Sequence, residues 1–214
     1  MTRPELKNES LSIVFLGKFN CSIIQPKWLA KEGILRESEG EAAKIEILIP
    51  QLAIFATQDF KVTANAERFK IETNLRSSFE RTRDFALNIF DTLSHTPIDA
   101  IGLNSSFLYR FGSEKDWHAF GHKIAPKEHW KELKQPGLVS MTIQSKRPDD
   151  RKGYINVLIG AKPDYSIEVV VNDHFECSTP GEDHFGANDA LEILRTEWDN
   201  SLERSKKWVD SLWS

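Results

Sequence analysis

The sequence predicts an α+β protein made of one β-α-β(3–4)-α unit written twice, its strands joined in a single curved antiparallel sheet with two long helices on one face. Three observations predict it. Between Ala187 and Trp213 the apolar residues Leu191, Leu194, Trp198, Leu202, Val209 and Leu212 fall at helical steps, so one side of a long helix is apolar. Ser77 to Leu93 carries Phe79, Ala86, Ile89, Phe90 and Leu93 on one face in the same way. Between the helices the period changes to two, as in Lys44 to Ile49, which marks strands with one buried side. The chain is expected to be a single domain over 1–214, with halves of approximately 11–95 and 98–213.

Taken in order, a polar tail leads into Leu11 to Phe19, a β-rich run around Ile13 to Leu16 that Gly17 closes. Pro26 opens a short helix to Lys31, since proline suits a first helical turn, and Gly33 ends it. Glu37 to Glu41 lacks periodicity and is expected to be a charged loop. Leu52 to Ala56 is extended, and Lys61 to Ala66 with Phe69 to Thr73 reads as a hairpin. Ser77 and Glu80 have the spacing of a capping box for the first long helix. The order then repeats: Ile98 to Phe111 is extended, Ser113 with Asp116 starts a helix, and Pro126 opens another turn through Leu133. Strands follow at Leu138 to Lys146, Gly153 to Gly160 and Ser166 to Asn172, before the irregular loop Glu176 to Gly186 and the terminal helix.

Bulk properties exclude some classes of function. A net charge of -4, from 32 acidic and 28 basic residues, provides no overall attraction to a phosphate backbone. Cys21 and Cys177 are far apart and form no CxxC pair, which suits a reducing cytoplasm and suggests neither disulfides nor zinc. No stretch approaches the roughly 20 apolar residues of a membrane helix. A cytoplasmic protein with no cofactor and no membrane association is expected.

The repeated order of elements resembles the TATA-binding-protein-like fold across nearly the whole chain, as topology only; no DNA-contacting motif of that protein is matched. A second resemblance is to uncharacterised, sporadically distributed bacterial proteins. It is carried by Phe19-Asn20 before Pro26-Lys27-Trp28-Leu29, by His95-Thr96-Pro97 leading to Gly102-Leu103-Asn104, and by Asn172-Asp173-His174-Phe175. Sporadic distribution implies phage-defence or other mobile-element systems.

Four groups of residues are candidates for function. Trp198, Trp208 and Trp213 crowd the C-terminus, where termini are usually polar, and large aromatics there suit a protein interface. Lys61, Thr63, Lys70, Glu72, Thr142 and Gln144 are the polar members of alternating strands and should line one sheet face, where nucleotide or nucleic acid is the alternative ligand. His118 and His122, four apart on a helix, can share a metal ion, with Asp116 and His129 near in sequence. Asp173 and His174, with His184 in the following loop, form a second polar cluster at a strand end. Phosphate loops, nucleophile elbows and CxxC pairs are missing. The leading expectation is therefore a non-catalytic interaction module that pairs with itself or another protein, as a small subunit of a bacterial multi-protein system; a metal-dependent hydrolase using the His/Asp residues is the alternative from another class.

Overall fold

Nine β-rich segments pair into one sheet in the computed structural model, which describes residues 3–177 and 186–213. They are β1 (Glu5–Gly17), β2 (Lys44–Ile49), β3 (Leu52–Ala56), β4 (Lys61–Asn65), β5 (Arg68–Thr73), β6 (Ile98–Arg110), β7 (Ser140–Lys146), β8 (Gly153–Lys162) and β9 (Ser166–Glu176). The spatial order is β2-β3-β4-β5-β1-β6-β9-β8-β7, and every neighbouring pair is antiparallel. The two 13-residue strands β1 and β6 are therefore the centre, with the rest of each half extending outward on its own side.

Among the described residues five α-helices accompany the sheet: α1 (Pro26–Lys31), α2 (Glu37–Ala42), α3 (Phe79–Thr92), α4 (Glu114–Ile124) and α5 (Asn188–Ser211). Helix α3 packs on β5 and β1, α5 packs on β6 and β9, and the two helices touch. Their buried residues Phe90, Ile89, Leu191, Leu194 and Trp198 share one apolar cluster with Ile13, Phe15, Phe69, Ile71 and Leu103. Phe90 is the link, its ring centroid 4.6 Å from Phe15 and 5.1 Å from Phe69. A second cluster, around Phe107, Tyr109, Phe111, Phe120 and Val169, fills the space where α4 and the end of α5 meet the sheet.

Three local expectations need correction. The polar stretch before Leu11 is strand, because Glu5 to Ser10 find backbone partners in Ser106 to Arg110, and ladder hydrogen bonds do not depend on apolar side chains. Residues 37–42 are helical: the Glu39 carboxylate accepts the Arg36 N–H at 3.1 Å and also pairs with Arg81 on α3, so a tertiary ion pair holds a turn that periodicity does not signal. The Ser77–Glu80 capping box does not form. Ser77 lies in a 3-10 turn, Arg76–Ser78, and α3 begins at Phe79. Glu80 is instead drawn to Trp198, whose Nε1 donates to it at 2.9 Å, and to Arg83 at 2.6 Å.

Candidate functional site

Alternation along β9 separates two chemistries that adjoin in sequence. Asp173 points to the side on which the helices pack and is 1% exposed, while Asn172 and His174 point to the other. On the helix side Asp173 accepts Arg147 and, at 2.7 Å, Arg204 of α5. Arg147 also pairs with Asp149 at 2.6 Å and lies 3.6 Å over the ring of Phe175. Each buried charge thus has a counter-charge, the condition under which burial of ions is tolerated. The Arg147 hydrogen bond holds the Asp149 carboxyl below its ordinary range. This network joins the β7–β8 loop and α5 to β9, and it engages both carboxylate oxygens of Asp173 with arginine donors.

On the opposite side the register aligns a row of polar side chains across the sheet: Lys61, Glu72, Ser12, Asn104, Asn172, Asn156 and Gln144. Asn104 Nδ2 makes only long bonds, 3.3 Å each, to the carbonyls of Ser12 and Gly102. The side-chain oxygens of Asn172 and Asn156 are buried and have no donor. A methyl group at Gly102 would sit 3.4 Å from Asn172 Oδ1 and 3.6 Å from Asn104 Nδ2, so the two carboxamides lean over a bare stretch of backbone. Along one flank of the row Tyr154 and His174 stack with centroids 4.4 Å apart; along the other run Val170 and Leu158. Towards β4 and β5 the same face sinks into a concavity of about 530 Å³ that includes Ser10, Ser12, Lys70, Asn104 and Ser106.

Three lysines on this face are matched, while Lys146, Arg68 and Arg110 on the same face have no carboxylate partner among the described residues. Lys61 pairs with Glu46 at 2.8 Å, Lys70 with Glu72 at 2.5 Å and Lys162 with Glu168 at 2.7 Å. What remains for a ligand is a set of neutral donors and acceptors beside apolar and aromatic ledges, with the Lys146 ammonium at the β7 end. Burial lowers the pKa of His174, so its ring is neutral at pH 7 and stacks on Tyr154 without a charge. Because the folded value lies below the unfolded one of about 6.5, the unfolded chain binds the proton first, and stability falls as pH drops below that value. We expect His174→Gln to flatten the decline in melting temperature between about pH 7 and pH 5. An unchanged slope would show that His174 does not carry it.

No protein-family model matches this chain, and no curated protein is significantly similar to it.

Of the tryptophans expected at an interface, one is buried and two pack partly against the second cluster. Trp198 is 1% exposed in the core, and Trp213 meets Tyr109 edge-on at 4.9 Å and Phe120 at a tilt at 5.3 Å against the second cluster, which Trp208 also joins. Trp208 and Trp213 are partly buried by this packing and keep the rest of their surface exposed. His118 and His122 are exposed on α4, where His118 lies 3.5 Å from Glu114. They line a separate concavity of about 330 Å³ with Trp130, Leu133 and Val139, whose lining includes neither Asp173 nor His174. Asp116 is engaged by the Ser113 hydroxyl at 2.9 Å. His184 lies outside the described residues. Among the described residues no group of three or more His, Cys, Asp or Glu could hold a metal ion. The Cys177 thiol, pushed up to about 12 by burial and by the nearby Asp189 and Asp99 charges, stays protonated at neutral pH.

Lys61, Thr63, Lys70, Glu72, Thr142 and Gln144 fall by register on the same face as the carboxamide row. Asn104 and Asn156, its centre, have no sequence signal of their own. Their only mark is an asparagine inside a β-rich run, and only strand pairing shows that they adjoin Asn172.

Proposed function

We propose that this chain is a non-catalytic interaction module whose working surface is the sheet face opposite α3 and α5. The supporting observation is the polar row across that face, bordered by the stacked Tyr154 and His174 on one flank and by Val170 and Leu158 on the other. The two halves, in our reading, are copies of one TATA-binding-protein-like unit with two long helices side by side. The outward order of strands from the β1–β6 pair, and the contact between α3 and α5, support that reading.

The sheet edges fit an interface less well. β2 exposes Ile45, Ile47 and Ile49 but is six residues long and bulged next to Glu46, features that discourage edge pairing. The test is affinity purification of the tagged chain from its native host, as wild type, as Asn104→Arg/Asn172→Arg and as Ile143→Lys on β7. A stoichiometric protein partner held by the wild type and Ile143→Lys, and lost with the double variant, is the expected result. A partner held equally by all three places the working surface elsewhere. A chain that recovers no protein, in any form, overturns the reading.

A further inference from the structure

Helix α4 and the turn after it build a second surface, which shares no residue with the carboxamide row. The concavity of about 330 Å³ lies there, between α4, the 3-10 turn Lys127–Trp130 and residues 136–140. Its size falls within the range of about 300–1,000 Å³ usual for small-molecule sites. Much of its wall is apolar and open to water: Trp130 is 52% exposed, Leu133 58% and Val139 79%. Large apolar side chains gathered in one hollow gain most from an apolar ligand. A smaller cavity of about 60 Å³ shares His118, Gly121, Gly137 and Leu138 with it. That cavity reaches Ile159 of β8 and Ile167 of β9, so the hollow continues between α4 and the sheet.

Gly121 keeps this space free. It stands inside α4, where glycine is the least favoured residue after proline, and packing does not require it: a Cβ there would meet no atom beyond its own helix within 4 Å. The room a side chain would occupy belongs to the cavity that Gly121 lines.

The charge around the hollow has one sign. Lys127 carries a full positive charge, and the His118 and His122 imidazoles can donate in either protonation state. Among the described residues the side chains of Lys127 and His122 make no hydrogen bond or ion pair. No Asp or Glu is in the lining, and Glu114, 3.5 Å from His118, stands outside it. The free carbonyls at the α4 C-terminus amount to about half an elementary negative charge, less than the Lys127 ammonium supplies. One ammonium matches a singly charged carboxylate better than a phosphate of about two charges.

We infer that this cavity binds a small amphipathic carboxylate, its apolar body against Trp130, Leu133 and Val139 and its anionic group on Lys127 and His122. The ligand is a free small molecule. The inference goes beyond the interaction-module reading and stands or falls apart from it.

Isothermal titration calorimetry of the full chain with sodium octanoate is the test, with 1-octanol and octyltrimethylammonium bromide as neutral and cationic probes of the same tail. Octanoate should saturate one site per chain and bind about tenfold more tightly than the cation. His122→Ala/Lys127→Ala should lower octanoate affinity about tenfold, to that of 1-octanol. Gly121→Leu puts a better helix former in α4, so it should melt no lower than wild type while losing saturable octanoate binding. Should it melt early, Val139→Glu, at an exposed position, is measured in its place against the same loss. Absence of saturable octanoate binding at millimolar concentrations overturns the inference. So does binding of the cation or of 1-octanol as tight as that of octanoate, or octanoate binding that the variants leave unaltered. A dimer in light scattering that Gly121→Leu abolishes would assign the cavity to a second copy of the chain and overturn it too. None of these outcomes touches the sheet-face reading, which has its own test in Asn104→Arg/Asn172→Arg.

Discussion

Replacing Asp173 by Ala is expected to cost about 3–5 kcal/mol of folding stability, the loss typical when one partner of a buried ion pair is removed. The change leaves Arg147, whose side chain is 1% exposed, and Arg204 without the carboxylate that joins them. Asp149 still reaches Arg147 at 2.6 Å, which places the effect at the lower end of that range. Asp173→Asn keeps the volume and part of the hydrogen bonding but not the charge, and should fall between wild type and Ala. Urea titration measures the difference, and a shift in midpoint without a change in slope identifies a loss of stability. A loss below about 1 kcal/mol would mean that the two arginines find water or other partners, and the network would then not be what holds β9 to α5.

The second large effect is expected at Trp198. Its side chain is 1% exposed between the helices and the sheet, Arg83 lies 5.6 Å from its ring centroid, and Nε1 donates to Glu80. Trp198→Ala removes a whole ring from a packed interior and should cost about 3–5 kcal/mol. Trp198→Phe keeps most of the apolar contact and loses the hydrogen bond, so a cost of about 1–2 kcal/mol is expected. Glu80→Gln separates the two contributions, because it retains an acceptor for the indole. If Trp198→Ala unfolds at the wild-type urea concentration, the ring is not the bond between α3 and α5 that the packing indicates.

Both residues bear on the candidate site although neither lines it. The period of two along β9 means that whatever holds Asp173 on the helix side also holds Asn172 and His174 on the other. A slip of one residue would bring His174 under α5 and carry Asp173 into the carboxamide row. The two-arginine clamp on Asp173 opposes that slip, since an uncharged residue in its place would take from both arginines the carboxylate they share.

Much of the secondary structure was legible because its causes are local. Apolar spacing marks α3 and α5, Pro26 marks the start of α1, and Ser113 caps α4 by accepting the Asp116 N–H at 3.1 Å. Glu5 to Ser10 and residues 37–42 escaped because their partners are distant: one forms its ladder with β6, the other its ion pair with Arg81. The capping-box pattern misled for the same reason, since the indole of Trp198 lies 118 residues from Glu80 in sequence.

The amino-acid sequence by itself determined the α+β class, a mainly alternating strand pattern and the two apolar helix faces, because periodicity is set by backbone geometry that every residue shares. Tertiary structure alone decided which polar residues meet. Asn104, Asn156 and Asn172 come from three strands and become one surface only through register, a property of pairs of strands that no single segment carries. It likewise decided that Trp198 and Trp213 serve the core, because burying an aromatic ring gains more when other rings are already waiting to receive it.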